Sequence, residues 1–520
     1  MTRPIKRIVI VGGGSAGWLT AGVIAATYTS GESEEGLRVT LIESPDISTI
    51  GVGEGTWPSM RKTLARIGIS ETDFLTRCDA SFKQGTEFFD WQPGDGTAYT
   101  HPFSPPQGFD QFNPASTFLA LPEQPRFDQT VCAQTTLFEQ QQAPKQLTAP
   151  EYVGASNYGY HLDASKFAEL LQEHCVTHLQ VEHVTANVCA ITSASNGDIA
   201  ALETDRTEPI EGDLFIDCSG TRGLLINEHY QIDFKPLDHF LFNNRAVATQ
   251  IPYLDEQDPI ASCTLATAQD AGWIWDIGLT SRRGVGYVFS SQHQSNDQAI
   301  DKLYQYIEKS LPTEAARRLT TRVIDFAPGH RRTFWHQNCV ALGMAAGFIE
   351  PLEASALVLV ELGAAMIADE LPPDRLAMDR VSRRYNDRFS YRWARIIDFL
   401  KLHYILSKRP EPYWRDHSCE GSIPQTLVEQ LDTWNYRSPW HNDQFHADEM
   451  FPSASYQYVL YGMGFRPNQT ERPTRERDQQ DKLGVQFFYK AAQEGKRLRQ
   501  AMPSNRDLLT KIKAHGLKRI

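Results

Sequence analysis

No stretch of this 520-residue chain approaches the ~20 consecutive apolar residues of a membrane helix. The apolar run near the N-terminus is only Ile8 to Val11, and it enters a glycine turn rather than a signal-peptide cleavage site. Basic charge is short too: 51 Lys and Arg face 64 Asp and Glu, a net charge of −13. Nonspecific nucleic-acid binding needs a basic surface to displace counterions, so that class is excluded. The eight cysteines form no C-x-x-C pair and join no histidine at zinc spacing. No metal site is expected, and the thiols read as reduced and structural, as in a cytoplasm. No internal repeat is present. The length exceeds the roughly 250–300 residues at which one core stops growing, so two or three lobes are expected.

What is present begins with a β-branched run over residues 5–11, as a buried parallel strand requires. Gly12, Gly14 and Gly17 come next as G-x-G-x-x-G, then a helix over 16–30 and a strand over 38–43 ending in Glu43. That context carries the motif's meaning. Gly12 permits the tight turn, Gly14 lets a pyrophosphate approach the backbone, and Gly17 lets helix and strand pack closely. The helix N-terminus attracts phosphate, and Glu43 accepts from a ribose hydroxyl. The fold expected is α/β, with a Rossmann-like dinucleotide domain. FAD is favoured over NAD by a second glycine-rich turn at 50–56, by the strand and turn DLFIDCSG at 213–220, and by the lack of a second G-x-G-x-x-G for NADPH.

Segments 1–90, 161–235 and 331–375 are expected to build the FAD domain. Residues 91–160, irregular with nine prolines over 92–150, read as a lid or lobe surface. A substrate sheet is expected over 236–330 and a mainly helical substrate lobe over 376–520. Asp163 is placed as the N-cap of a helix over 161–175. Ile300, Leu303, Tyr304, Ile307 and Leu311 stand at helical spacing and read as core, and 376–406 reads as one long helix.

GGGSAGW (12–18), GVGEGTWP (51–58), SFKQGTEF (81–88), GWIWDIGL (272–279) and VALGMAAGFIEPLEAS (340–355) together resemble the flavin-dependent tryptophan halogenases. The resemblance implies a two-component enzyme supplied with FADH2 by a separate flavin reductase. In that family oxygen and reduced flavin give a C4a-hydroperoxide. Halide converts this to hypohalous acid, which travels to a lysine beside an aromatic substrate. The family's active-site lysine maps onto Lys83 and its glutamate onto Glu353. Flavin contacts are implied at Gly12, Gly14, Ser15, Ala16, Gly17, Glu43, Gly53, Gly343 and Pro351. Halide contacts are implied at the backbone of Ser355 and Ala356. Trp273, Trp275 and Ile277 match the W-x-W-x-I motif that walls flavin from substrate, and Pro351 fits a helix start.

The chain departs from the family in two places. Glu353-Ala354-Ser355-Ala356 stands where Glu-Ser-Thr-Gly is usual, which points to bromide over chloride. ASYQYVLYGMGF (454–465) holds no Tyr-Tyr pair for an amino acid's polar groups, so a simpler indole, a phenol or a carrier-bound aromatic fits as well as free tryptophan. Tyr456, Tyr458 and Tyr461 read as wall or core. A monomer or homodimer is expected. Two other readings share the dinucleotide motif: an aromatic hydroxylase and a flavin-binding protein without turnover. Against the first, ALGMAAG (341–347) lacks the aspartate of the hydroxylases' Gly-Asp flavin motif.

Overall fold

The computed structural model describes residues 4–28, 36–47, 53–93, 96–123, 125–443, 446, 449–468 and 477–519. The strand Arg7–Val11 lies inside a six-stranded sheet, parallel to Leu214–Asp217 on one side and Arg38–Glu43 on the other. Glu182–Thr185 closes one edge, and Cys339–Ala341 with Trp335–His336 closes the other. Residues from distant parts of the chain thus share one sheet, the discontinuous α/β assembly that the sequence implies. Ile8 and Ile10 point to one core, Val9 and Val11 to another, because side chains alternate along a strand. The helix Ser15–Thr27 packs between Ala164–His178 and Ser355–Asp369. Asp163 caps the second of these, its Oδ1 accepting from the Ser165 and Lys166 amides, a cap worth about 1 kcal/mol.

A seven-stranded mixed sheet carries the W-x-W segment. Its order is Arg322–Asp325, Arg245–Pro252, Arg282–Phe289, Gly272–Gly278, Thr264–Gln269, Gly85–Phe89, Ala98–Pro102. Period-two alternation sends Trp273, Trp275 and Ile277 into the main core, while Ile274 joins a second core under the helix Asn296–Ile307. Ser295 and Gln298 form that helix's capping box. The helix ends at Ile307, so Leu311 of the expected stripe lies in the turn beyond it, still buried.

A three-stranded antiparallel sheet, Gly53–Gly55 with Gly159–Asp163 and Ser81–Lys83, packs against the strands Gly272–Gly278 and Arg282–Phe289 and against the helix Ala164–His178. The second glycine-rich segment, expected as a turn, is therefore a strand over Gly53–Gly55, and its residues 50–52 lie outside the described residues. Of the first helix's expected span, 29 and 30 also lie outside them. The proline-rich segment is less irregular than its composition suggests. It holds the strand Ala98–Pro102 and the short helices Pro114–Leu119, Phe127–Val131 and Thr135–Glu139, each too short to show a period. The long helix runs Arg375–Ile405, and helices dominate the chain beyond it. Among the described residues no helix is long and apolar enough to cross a membrane.

Candidate active site

The glycine turn shows why each glycine is there. A Cβ on Gly12, at φ +118°, would lie 2.2 Å from the Cys218 carbonyl oxygen, and one on Gly17 would lie 1.8 Å from that of Gly12. At Gly14 a Cβ would meet no atom within 4 Å. The turn therefore closes against its own backbone yet opens outward at Gly14. That residue is also the N-cap of Ser15–Thr27, and no side chain caps the helix's free amides. Glu43 folds over Gly13, its Oε2 2.9 Å from His183 Nε2 without hydrogen-bond geometry. A donor from a ligand fits there. Ala16 meets Gly343, whose added Cβ would lie 2.9 Å from the Ala16 Cβ, so two distant segments join at the cradle. Ser15 Oγ is occupied, donating to the Ala164 carbonyl at 3.1 Å. Open backbone at Gly14, uncapped amides and an under-satisfied acid together fit a dinucleotide.

Lys83 ends the strand Ser81–Lys83 and is 2% exposed. A Cβ on Gly55 would lie 3.1 Å from Lys83 Nζ and 3.2 Å from the Ala354 Cβ, so the lysine's amine and the turn after Glu353 meet at this glycine. The Phe103 ring lies 5.5 Å from Nζ. Burial pulls the ammonium's pKa down, Glu353 and Cys263 pull it partly back, and it rests at about 8.

Glu353 is as deeply buried. Burial alone would raise its pKa, but His101 and His403 outweigh it and hold the carboxylate at about 2. His101 Nδ1 lies 3.0 Å from Oε1, and His403 Nε2 lies 3.2 Å from the same oxygen, without hydrogen-bond geometry. His101 Nε2 meets Ser455 Oγ at 2.9 Å, and His403 Nδ1 meets the Tyr99 hydroxyl at 2.6 Å. Burial and the Glu353 charge push the Tyr99 pKa well up, so this hydroxyl stays a donor. Its donation to Nδ1 leaves the His403 proton on Nε2, toward the carboxylate. Trp57 donates to the Glu353 backbone carbonyl at 2.7 Å. Among the described residues no side chain hydrogen-bonds Glu353 Oε2.

Trp273 and Trp275 stand on one strand face with ring centroids 6.4 Å apart. Gly286 makes room for the Trp275 ring, since a Cβ there would lie 2.2 Å from it. Ile277 reaches Gly53, so the W-x-W strand touches the second glycine segment. The helix after Glu353 begins at Ser355, so Pro351 is not in its first turn, and the expected helix start there is corrected. Pro351 instead closes a turn, its carbonyl accepting from the Ala354 amide at 3.0 Å. Ser355 and Ala356 hold the first two helical positions, with free amides.

The structure brings Lys83, Glu353 and Ala354 together near Gly55, and gathers Gly12, Gly14, Ala16, Gly17, Glu43 and Gly343 around the cradle. Sequence reasoning missed Tyr99, His101, His403 and Ser455. The one local signal was the alternation of Tyr99 and His101 within AYTHP, which places both on one strand face. Tyr456, Tyr458 and Tyr461 are buried on the helix Ser453–Gly462, and Tyr458 donates to the Ser104 carbonyl at 3.0 Å.

A family model described as tryptophan halogenase matches residues 7–479. The chain is 30% identical to tryptophan 6-halogenase ThaL of Streptomyces albogriseolus, over 99% of this chain and 100% of that protein. It is 46% identical to the crystal structure of tryptophan halogenase from Shewanella frigidimarina, with a TM-score of 0.95 and coverage of 100% and 99%. Tar14, described as a tryptophan C-6 flavin-dependent halogenase (chlorinase) from taromycin biosynthesis, matches at 31% identity and a TM-score of 0.89, with coverage of 98% and 100%.

Proposed function

Because the chain belongs to the tryptophan halogenase family and is a flavin-dependent enzyme that halogenates an aromatic substrate with FADH2 and oxygen, we propose that Lys83 and Glu353 carry its chemistry. The observation that supports this is that Lys83 Nζ and the Cβ of Ala354, the residue after Glu353, meet at Gly55 with the Lys83 and Glu353 side chains both buried: a lysine whose pKa burial lowers to about 8, within reach of the charge of a carboxylate held ionised.

When bound, reduced FAD with oxygen supplies the oxidising equivalents that turn halide into hypohalous acid. The cradle of Gly12, Gly14, Ser15, Ala16, Gly17 and Glu43 holds the dinucleotide, with Gly53, Gly343 and Pro351 at its flavin end. The amides of Ser355 and Ala356 hold halide, since a helix N-terminus attracts anions. Trp273, Trp275 and Ile277 keep the organic substrate from the flavin. The Lys83 ammonium donates a hydrogen bond to the oxygen of hypohalous acid. The substrate ring attacks the halogen, the oxygen–halogen bond breaks, and the oxygen takes the lysine's proton to leave as water. Glu353 accepts the ring proton when the carbon–hydrogen bond breaks. Overall one substrate, halide, oxygen, FADH2 and proton give halogenated product, FAD and two waters.

The substrate is an indole or phenol without an amino acid's polar groups, free or on a carrier, because the helix 453–462 directs its tyrosines into packing and a backbone carbonyl. Bromide is preferred. Ala354 lacks the hydroxyl usual there and Ala356 adds one methyl, a less polar surrounding that suits the less hydrated anion. A separate flavin reductase supplies FADH2, and the enzyme works in the cytoplasm as a monomer or homodimer. Segments 1–90, 161–235 and 331–375 form the FAD domain, 91–160 a lid, 236–330 the substrate sheet, and 376–520 a helical substrate lobe.

Purified enzyme with FAD, a generic flavin reductase, NADH and oxygen is mixed with indole, tryptophan or a phenol in equal bromide and chloride. Mass spectrometry is expected to show mainly brominated indole or phenol. Mainly chlorinated product overturns the halide preference. Preferential turnover of free tryptophan overturns the substrate class. Oxygenated product without halide dependence makes the enzyme a hydroxylase.

A further inference from the structure

Glu350 stands three residues before Glu353 and is as deeply buried, yet nothing in the proposed reaction uses it. A single oxygen, Oε2, accepts three hydrogen bonds: from Trp273 Nε1 at 2.7 Å, from the Tyr404 hydroxyl at 2.7 Å and from Asn243 Nδ2 at 2.5 Å. Oε1 has no partner. Tyr413 holds Asn243 in turn, donating to its Oδ1 at 3.0 Å. We propose that Glu350 is a positioning residue of the reaction, fixing the Trp273 ring of the wall to the turn that carries Glu353.

Three observations carry this. First, the site is a poor device for stability. A buried carboxylate is costly unless both oxygens are satisfied, and a buried polar cluster replaced as a whole by well-packed apolar residues is often no less stable, so its presence is weak evidence for a stabilising role. Three donors crowded on one oxygen, with the other bare, suit geometry rather than stability. Burial raises the Glu350 pKa, and the three donors and the Lys401 charge oppose it. Second, an indole has one hydrogen-bonding atom, far from its Cα. The strand Gly272–Gly278 fixes where the Trp273 backbone lies, and the bond to Glu350 fixes its ring. Without it the indole N–H is buried and unpaired. Third, the two carboxylates share one ruler. His403 and Tyr404 are consecutive on the helix Arg375–Ile405. The first faces Glu353 and the second faces Glu350. Trp91 packs against His403, Tyr404 and Trp273 at centroid distances of 5.9, 5.3 and 6.5 Å. Wall and proton acceptor are thereby held to one helix.

The role rests on the reading that Trp273 separates flavin from substrate. It is tested in the full-length enzyme with Glu350→Leu, which removes the acceptor, Glu350→Gln, which keeps one, and Trp273→Phe, which removes the donor. Three quantities are read: halogenated product per FADH2 consumed, hypohalous acid captured by a dissolved β-diketone, and the 19F resonance of 5-fluorotryptophan at position 273, identified by its loss in Trp273→Phe. Glu350→Leu is expected to bind FAD as the wild type does, to shift that resonance, and to lower product per FADH2 about tenfold or more while the trap gains halogen. KM for the substrate stays unchanged. Glu350→Gln restores most of the yield, and Glu350→Leu adds nothing to the defect of Trp273→Phe. An unmoved resonance with unchanged yield overturns the proposal and leaves the halogenase reading standing. So does equal loss of FAD binding in the Leu and Gln variants. If Glu350→Leu does not fold, Trp273→Phe with full coupling overturns it equally. A wild type that halogenates nothing overturns the reaction reading itself, and the positioning role with it, even where the resonance shows the ring held.

Discussion

Tyr99 and His403, 304 residues apart in the chain, meet at 2.6 Å from hydroxyl to Nδ1, and this contact sets which imidazole nitrogen faces Glu353. The carboxylate's low pKa rests first on His101 and then on His403. Replacing His403 with Leu leaves His101 alone against the burial of Glu353, so the glutamate's pKa must rise. In its proposed role as proton acceptor, Glu353 works only when ionised. Wild-type kcat is expected to show no acid limb from this group above about pH 4, because its pKa is about 2. His403→Leu is expected to show such a limb, moved up by a unit or more. Matching pH profiles of kcat would remove His403 from the account.

Lys83 gives a limb of the opposite sign. In the proposed mechanism its ammonium donates to hypohalous acid, so kcat is expected to fall as pH rises through about 8. A rate that climbs through the same range would mean the neutral amine acts, through a haloamine.

The same lysine destabilises the fold below that pH. Burial lowers its pKa to about 8 from an ordinary 10.5, so the unfolded chain binds the proton more tightly. The penalty is complete below about pH 8 and disappears as pH rises toward 10.5. Lys83→Met is therefore expected to be more stable than wild type at neutral pH, by up to about 3 kcal/mol. Urea unfolding at neutral and at high pH should show the gap closing.

The glycines separate binding from folding. Gly14→Ala meets no protein atom, so Tm should hardly change while FAD affinity falls about tenfold or more, as backbone approach to the pyrophosphate is blocked. Gly17→Ala collides with the Gly12 carbonyl and should fail to fold. Flavin fluorescence titration and thermal melts distinguish the two.

Ala354 precedes the helix with φ +53°, a left-handed conformation that disfavours a Cβ. Ala354→Gly relieves that strain but loosens the unfolded chain. A net gain of about 0.5–1 kcal/mol in urea unfolding is expected.

Local patterns carried the nucleotide half of the fold. The Ile8–Val11 run, the glycine spacing, Glu43 and the Asp163 cap are all decided within a few residues, by strand burial, turn sterics and amide capping. Lys83, Glu353 and the W-x-W strand were legible only through several motifs taken together, since one buried lysine leaves no mark in its own neighbourhood. His101 and His403 were not legible. Their partner Glu353 lies 252 residues from His101, and only the packing of separate sheets and helices brings them together. Pro351 misled for a local reason: its fixed φ suits a helix start, but it equally suits the turn it occupies.

The most direct test of the account is the halogenation assay on Lys83→Met, with FAD binding measured alongside. The variant is expected to bind FAD normally, product carrying the halogen isotope pattern to fall about 100-fold or more, and hypohalous acid still to reach a dissolved trap. The same halogenated product, at the wild-type rate and regiochemistry, would contradict it.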